Sequence, residues 1–335
     1  MKPIRLLWLA IVLALAWSAW WGWGAWHARA GLTGWMEERR AAGWQAEWSD
    51  ISVQGFPTRI DRTITDLTLA NTEYGWVWSA PFFQILGLNY EKDHVILVWP
   101  DTMTVQTTDE KIAISGDDLQ GSVTFVPGSD RQLETATLVF EGLKLRSDAG
   151  WTSSLEQARI ATRPDDGREG ARDIGVEITG LKPRAPMLEK LAQAGLVPAE
   201  VERLTADLSV QFDRPWDKAA LEGVRPQPQQ VDIRNLGATW GALEVRIAGD
   251  VSVSPSGQVS GEVMVKATNW RDILEVARQS GALPDSIADP IESALLLLSG
   301  LAGRSETLDI PLTFSNGRTK LGPVPIGPAP TIRIP

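Results

Sequence analysis

Residue types that commonly catalyse reactions or bind metals are scarce in this 335-residue chain. It has no cysteine and only two histidines, His27 and His94. The lack of cysteine excludes disulfides, thiol chemistry and cysteine-ligated zinc, and the two histidines form no metal-binding motif. A Ser-His-Asp triad would have to use His94, which falls in a predicted strand, and no Gly-x-Ser-x-Gly segment precedes a helix.

The acidic residues give no stronger indication of a catalytic site. Asp117-Asp118 and Asp165-Asp166 flank predicted turns without the alternating spacing of a calcium-binding loop. Glycine-rich motifs that bind phosphates or dinucleotides are also missing. We therefore expect no catalytic residue, no cofactor and no metal, and a protein that is not an enzyme. A hydrolase that uses two of the 42 acidic side chains is kept as a third alternative.

The charge distribution argues against nucleic acid as a partner. The formal net charge is −10, and the first 40 residues contain five basic and two acidic side chains, so the rest of the chain carries −13. Nucleic acids are bound by basic side chains that neutralise phosphates, and anionic lipid surfaces attract basic segments. We expect no nucleic-acid partner, and we expect any lipid contact of this acidic body to be apolar.

The N-terminal segment has the composition of a membrane span. No charged residue occurs from Leu6 to Trp26, and a helix over this run rises about 30 Å, the thickness of a bilayer's hydrocarbon core. Lys2 and Arg5 precede the run, and its far end is rich in tryptophan, which favours the membrane interface. The positive-inside rule predicts a single-pass membrane protein with a cytoplasmic N-terminus and an exported body.

A cleaved signal peptide is the alternative interpretation of this segment. Ala28 and Ala30 form a small-residue cleavage pattern, and cleavage near Ala30 would leave a soluble periplasmic protein. The length of the apolar run and its bulky tryptophans favour a retained anchor. Both interpretations export the rest of the chain.

Beyond residue 43, apolar residues mostly recur at every second position, which is the period of a half-buried strand. Strands are predicted at residues 44–53, 60–69, 76–78, 95–99, 111–115, 119–126 and 135–146, with breaks at Pro100-Asp101, Gly116-Asp117 and Pro127-Gly128. We predict a β-rich α+β fold, in which a few helices pack against long twisted antiparallel sheets after an N-terminal transmembrane helix.

The polar loop from Arg163 to Gly170 is the predicted domain boundary. It divides the chain into an anchor or signal segment (1–30), an N-terminal β-rich half (31–165) and a C-terminal β-rich half with helices (166–335).

The C-terminal half contains two copies of a short pattern. These are Leu188-Glu189, Gly195 and Pro198 in one copy, and Leu274-Glu275, Gly281 and Pro284 in the other. Predicted strands flank each copy, which favours an internal repeat of strand, helix, turn, helix and strand.

A long amphipathic hairpin provides the candidate ligand site. Its two arms alternate apolar and polar residues on either side of the turn Pro255-Ser256-Gly257, and a largely apolar helix is predicted over Ile291–Leu301, with Pro290 in its first turn. An aliphatic face of this kind binds acyl chains through buried area, without specific polar groups. The candidate apolar ligand face consists of Leu243, Val245, Ile247, Val259, Val263, Val265, Ile291, Leu295 and Leu298.

A dense motif precedes the second predicted strand. Gly55 before Phe56-Pro57 predicts a bend, and Arg59 and Asp61 are spaced to form an ion pair on one face. A docking corner is the alternative role for this motif.

Four motifs in the chain resemble a known family. They are Gly55-Phe56-Pro57-x-Arg59, Trp78-Ser79-Ala80-Pro81-Phe82-Phe83, Asn269-Trp270-Arg271 and Leu321-Gly322-Pro323-Val324-Pro325-Ile326-Gly327. Together they resemble the bacterial envelope family catalogued as domain of unknown function 2125, over nearly the whole chain after the anchor. This resemblance implies an exported Gram-negative protein and supplies no catalytic residue.

The architecture also resembles AsmA/TamB-like envelope proteins, which have an inner-membrane anchor followed by elongated curved sheets with an apolar groove for phospholipid. That resemblance implies lipid handling, although this chain is too short to bridge two membranes. We therefore expect a non-enzymatic envelope protein that binds lipid or another hydrophobic ligand. The second hypothesis is an envelope scaffold whose core is filled by its own helices and whose protein partners are unknown.

Overall fold

A computed structural model describes residues 3–71, 73, 75–184, 191–192, 195, 197–279, 283–302, 306–322 and 324–334. The helices are α1 (Pro3–Ala41), α2 (Lys218–Glu222), α3 (Trp270–Gln279) and α4 (Asp285–Ala302). α1 ends before Gly43, whose φ of +86° is a left-handed conformation that glycine adopts readily.

The strands account for most of the chain after α1. They are β1 (Trp44–Glu47), β2 (Asp50–Gln54), β3 (Asp61–Asn71), β4 (Trp76–Leu88), β5 (Glu91–Val98), β6 (Thr102–Gln106), β7 (Lys111–Ser115), β8 (Asp118–Phe125), β9 (Leu133–Glu141), β10 (Lys144–Ser147), β11 (Thr152–Ser154), β12 (Gln157–Pro164), β13 (Ala171–Leu181), β14 (Val201–Phe212), β15 (Pro228–Trp240), β16 (Leu243–Val253), β17 (Val259–Thr268), β18 (Thr307–Ser315), β19 (Arg318–Leu321) and β20 (Val324–Pro328).

All of these strands belong to one antiparallel sheet. β1 and β2 both pair with β3, and from β12 to β20 each strand pairs with the next along the chain. The predicted β-rich fold with long antiparallel strands and few helices is confirmed. Because neighbouring strands are also neighbours in sequence, short hairpin connections suffice to build most of the sheet.

Four long strands in the middle of the sheet are each divided in two. β5 and β6 form one such run, and so do β7 and β8, β9 and β10, and β11 and β12; β5 pairs with β8, while β6 pairs with β7. The predicted breaks at Pro100-Asp101 and Gly116-Asp117 are present, but these residues interrupt a strand and do not reverse the chain. The chain reverses instead at residues 107–110, where the N–H of Thr107 donates to the carbonyl of Glu110 over 2.8 Å.

Strand pairing continues across the predicted boundary at residue 165. β12 pairs with β13 from Gln157 opposite Thr179 to Pro164 opposite Arg172. The polar segment after Pro164 is therefore a hairpin loop within the sheet.

The apolar helix of the C-terminal half begins earlier than the sequence indicates. The prediction places Pro290 in its first turn, whereas α4 begins at Asp285. Pro284 lies just before α4, and its carbonyl accepts a hydrogen bond from the N–H of Ala288 over 3.0 Å. Pro284 therefore lies at the N-terminal boundary of α4, and Pro290 lies inside the helix.

The predicted order of strand, helix, turn, helix and strand is present in one copy of the repeat only. The second copy has β17, α3, α4 and β18, with β17 and β18 paired to each other. In the first copy, residues 185–190 lie outside the described residues, and β14 begins at Val201, immediately after the predicted turn at Pro198. The prediction of a second helix in that copy is wrong because strand occupies its place.

Candidate functional site: an apolar sheet face beside a membrane helix

One face of the sheet carries an unbroken row of apolar residues across eleven neighbouring strands. Cross-strand pairing aligns one residue from each strand, and this central row consists of Ile85, Leu97, Gly121, Leu138, Ile160, Val176, Ala206, Leu236, Ile247, Val265 and Ile310. At a spacing of about 4.8 Å between strands, the central row is about 48 Å long.

Two further rows lie on either side of the central row on the same face. One consists of Leu119, Phe140, Ala158, Ile178, Leu204, Ala238, Val245, Ala267 and Leu308. The other consists of Val95, Val123, Ala136, Thr162, Ile174, Leu208, Ile233, Gly249, Val263 and Leu312. Same-face residues of a strand are about 7 Å apart, so the three rows form an apolar face about 14 Å wide.

The opposite face of the same strands is polar. Its corresponding row contains Gln120, Val139, Arg159, Glu177, Thr205, Gly237, Arg246, Lys266 and Asp309. Successive side chains of a strand point to opposite faces, so the two-residue period in the sequence separates the apolar face from the charged one.

Helices cover the apolar face at its two ends. At the first end, Met36 of α1 is buried against a cluster that includes Ile51 and Ile64. At the other end, Leu295 of α4 is buried with Trp270 and Ile310. Between these ends, the central row from Ile85 to Val265 stays partly exposed except at Gly121, and Ile160 keeps 36% of its surface accessible. The middle of the apolar face is therefore only partly covered by the described residues.

The nine residues of the predicted ligand face fall into three groups. Four are buried in the protein's own clusters: Leu243, Val259, Val263 and Leu295. Four are partly exposed: Val245, Ile247, Val265 and Ile291. The side chain of Leu298 lies outside the described residues. Of the partly exposed group, Ile247 and Val265 belong to the central row, and Val245 belongs to a flanking row.

Sequence reasoning identified this hairpin and predicted several of the other strands, but it did not show that their apolar residues extend the same face towards α1. Leu138 and Phe140 show the same alternation in β9, and Ile174, Val176 and Ile178 show it in β13. The signal was present in each strand. Only the register between strands shows that these residues form one surface.

The helix α1 consists of two parts with different surroundings. Every residue from Pro3 to Trp20 is exposed, and the part before Trp17 is almost entirely apolar. From Trp21 onwards, most of the residues that lose exposure recur every three or four positions; they are Trp21, Gly24, Ala25, Ala28, Leu32, Thr33, Gly34, the fully buried Met36, and Arg39. That spacing is the contact stripe of a helix packed on one side. The predicted membrane run Leu6–Trp26 therefore overlaps a segment that packs on the protein itself.

The loop between β2 and β3 contacts α1 directly. The indole Nε1 of Trp17 donates to the carbonyl of Pro57 over 3.0 Å, and that of Trp21 donates to the carbonyl of Arg59 over 2.8 Å. The Trp21 and Phe56 rings meet edge to face, with their centres 5.5 Å apart. The predicted bend is present at Gly55, which has a φ of +102°, and a Cβ there would lie 2.6 Å from that of Arg59. The predicted pair is also confirmed, with Arg59 Nε 2.9 Å from Asp61 Oδ2.

A network of arginines and aspartates lies on the polar face. Arg234 pairs with Asp173, and its Nη1 donates to Asp207 over 2.7 Å. The hydroxyl of Ser209 donates to Asp165. This hydrogen bond, together with those from the backbone N–H groups of Gly167 and Arg168, lowers the pKa of Asp165. A carboxylate with a lowered pKa is a poor general acid, so this cluster has the properties of an ion-pair network.

The described residues do not assemble a recognisable catalytic or metal site. They contain no group of three His, Asp or Glu side chains placed to hold a metal. His94 Nε2 lies 2.8 Å from the hydroxyl of Ser122, but among the described residues no carboxylate bonds to the other ring nitrogen, as a triad requires. An open cleft of about 580 Å³ over β3, β4, β6 and β7 is lined mainly by small, hydroxyl-bearing and aliphatic side chains, with Asp66 as its one charged residue.

Comparison with known proteins identifies a family and no closer relative. The searches of curated proteins and of solved structures returned no match. A family model described as "Uncharacterized protein conserved in bacteria (DUF2125)" matches residues 21–330. The match begins at Trp21, the first residue of α1 that packs against the sheet. The chain belongs to this bacterial family, DUF2125.

Proposed function

We propose that this protein is a non-enzymatic envelope protein, anchored in the inner membrane with its body in the periplasm, and that its apolar face binds lipid acyl chains or another hydrophobic ligand. The observation that supports this proposal is the central row, which stays partly exposed from Ile85 to Val265. Large exposed apolar patches usually mark interaction sites, and this partly exposed stretch crosses ten strands, a length of about 43 Å at a strand spacing of about 4.8 Å.

The position of α1 favours lipid as the ligand. α1 is the one helix of the described residues with the length and composition of a membrane span. Its C-terminal part packs beside Ile64, which pairs with Phe83 of β4, and Ile85 of the central row follows on the same strand. The apolar face therefore begins beside the anchor, where acyl chains are the abundant hydrophobic molecules.

The packing of α1 also favours retention of the anchor. Cleavage near Ala30 would remove Trp17 and Trp21, which donate hydrogen bonds to the loop between β2 and β3. Lys2 and Arg5 precede the apolar run, which favours a cytoplasmic N-terminus and a periplasmic body.

Photo-crosslinking in cells tests the ligand. A photoreactive residue is introduced into the full-length chain at position 160 or, as the matched control, at position 159. These positions are adjacent in β12, and their side chains point to opposite faces of the sheet. We expect a phospholipid adduct from position 160 and none from position 159. If position 160 gives no lipid adduct, or if both positions give the same amount, the lipid proposal is wrong.

A paired substitution tests the same point without a crosslinker. Leu138→Gln with Ile160→Gln changes two directly opposed residues of the apolar face, and Val139→Gln with Arg159→Gln changes two directly opposed residues of the polar face. We expect loss of co-purified lipid from the first double variant only. Circular dichroism of both variants checks that the sheet is intact.

An envelope scaffold is the second candidate function. The observation that favours it is the burial of Leu243, Val259, Val263 and Leu295 within the protein's own clusters. For a scaffold, the crosslinker at position 160 would capture a protein of constant mass instead of lipid.

A further inference from the structure

The loop between β2 and β3 and the turn between β4 and β5 form one surface beside α1. The N–H of Asn89 donates to the carbonyl of Thr58 over 2.8 Å, and the N–H of Ile60 donates to the carbonyl of Gly87 over 2.9 Å. We call residues 55–60 and 88–91 the anchor-side edge of the sheet. It is joined to α1 by the hydrogen bonds that Trp17 and Trp21 donate to its backbone, and Gly24 faces it further along the helix, where an added Cβ would lie 3.6 Å from Asn89 Oδ1.

These contacts determine where the membrane boundary falls on α1. The residues from Pro3 to Trp20 are exposed throughout and extend about 27 Å as a helix, close to the thickness of the hydrocarbon core. The anchor-side edge lies level with Trp17 to Gly24, so it meets the far end of this span. A boundary at Trp26 would place the edge, with its charged Arg59 and Glu91, well inside the hydrocarbon, where charges are costly. The boundary therefore lies near Trp17–Trp21.

Two large aromatic side chains are exposed on the anchor-side edge. Phe56 keeps 55% of its surface accessible and Tyr90 keeps 67%. Phe56 packs against Trp21, and Tyr90 follows Asn89, which bonds to Thr58 of the same edge. Trp17, Trp20 and Trp23 of α1 are also exposed. Rings of this kind favour the headgroup layer, where an apolar body and a polar tip are both accommodated.

We propose that the anchor-side edge is a second membrane-contacting surface, with Phe56 and Tyr90 seated in the lipid headgroup layer at the extracytoplasmic end of the anchor. Its ligand is the bilayer surface itself. The inference rests on the membrane anchor of the proposed function and is independent of ligand binding along the apolar face. Contact at both α1 and the edge fixes the orientation of the sheet, so that β4 ends and β5 begins at the bilayer surface.

The lack of cysteine makes this surface directly measurable. Single variants Phe56→Cys and Tyr90→Cys of the full-length protein carry a nitroxide label and are reconstituted into phosphatidylethanolamine–phosphatidylglycerol vesicles. Ile11→Cys is the control inside the anchor. Ser256→Cys is the control in an exposed hairpin turn far along the chain. The measured quantity is the ratio of collision with oxygen, which enters the bilayer, to collision with a water-soluble nickel chelate.

We expect the ratio at positions 56 and 90 to lie above that at position 256 and below that at position 11. If the collision ratios at positions 56 and 90 equal the ratio at position 256 while the ratio at position 11 is higher, the membrane-contact inference is wrong. The membrane anchor is supported in that case. If position 11 also matches position 256, the anchor itself is wrong, and the proposed function fails with it.

Discussion

The indole nitrogen of Trp21 donates a hydrogen bond to the backbone carbonyl of Arg59 over 2.8 Å, and this contact joins the apolar N-terminal helix to the sheet. Trp21 is the first residue of α1 with a partly buried side chain. Its ring also meets Phe56 edge to face. A single residue thus marks the point where α1 changes from an exposed helix into a packed one.

The Trp21 hydrogen bond can be tested by Trp21→Phe. This change keeps an aromatic ring against Phe56 and removes the N–H donor. We expect the docking of the loop to weaken by about 0.5–1.5 kcal/mol, the net value of a typical hydrogen bond. Amide hydrogen exchange of residues 55–60 in bilayer discs should become faster. Trp23→Phe is the control, since that ring is largely exposed; equal exchange in the two variants would contradict the assigned role.

Met36 should stabilise the folded protein mainly through packing. Its side chain is only 1% exposed and contacts the cluster beneath α1. Met36→Ala leaves a cavity, so we expect a loss of about 2–5 kcal/mol in the free energy of unfolding. Urea denaturation of the detergent-solubilised protein measures this loss. Glu38→Ala, on the exposed side of the same helix turn, should change stability by less than about 0.5 kcal/mol; a similar loss in both variants would show that α1 does not pack as described.

Gly121 keeps the apolar face free of a steric clash. A Cβ at this position would lie 2.7 Å from Cδ2 of Leu138 and 3.4 Å from the ring of Trp99. Gly121→Ala should therefore cost about 1–3 kcal/mol of the free energy of unfolding. Gly175→Ala is the matched control in another strand, because a Cβ there meets nothing within 4 Å. We expect that control to be neutral or slightly stabilising in the same denaturation experiment. If the two alanine variants are equally stable, the crowding at Gly121 is not significant.

Asp165 should make stability depend on pH in the acid range. Its hydrogen bonds from Ser209, Gly167 and Arg168 lower its pKa in the folded protein. In the unfolded chain, the aspartate carboxyl has a pKa of about 3.9. The unfolded chain therefore binds a proton at this carboxyl more readily than the folded protein does. The stabilisation is complete above that unfolded value and is lost as the pH falls through the lowered folded pKa.

The variant Asp165→Asn isolates this effect. We expect it to be less stable than the natural protein at pH 7 and to lose less stability on acidification below about pH 4. Asp166→Asn changes the adjacent, exposed carboxylate and is the control. Denaturant midpoints measured from pH 7 down to pH 3 provide the comparison. If the plots of denaturant midpoint against pH are parallel for the Asp165→Asn variant and the natural protein, Asp165 does not contribute to the pH dependence of stability.

The anchor is expected to remain on the mature protein. The reason is structural, since residues 21–30 belong to the same continuous helix as Met36. Intact mass measurement of the protein from washed membranes should give the uncleaved chain. A mass corresponding to a chain that begins near residue 31 would establish the signal-peptide alternative instead.

Much of this architecture is determined by the sequence alone. The uncharged run from Leu6 to Trp26 predicts a membrane helix because its length matches a bilayer. The two-residue alternation around Val245 and Ile247 predicts an amphipathic strand because side chains alternate between faces. The Arg59–Asp61 pair follows from the same period. These features are local, so a short stretch of sequence carries the whole signal.

The tertiary structure decided the features that depend on distant residues. The alignment of Leu138 with Ile160, and of Ile247 with Val265, depends on the register between strands, which no single segment encodes. Val263 is buried and Ile247 is partly exposed, although both belong to the same predicted face. The rest of the protein covers only part of that face. The packing of the apolar helix is decided in the same way. Composition alone extends the predicted span to Trp26, whereas the structure shows that Trp21 already packs on the loop at Arg59.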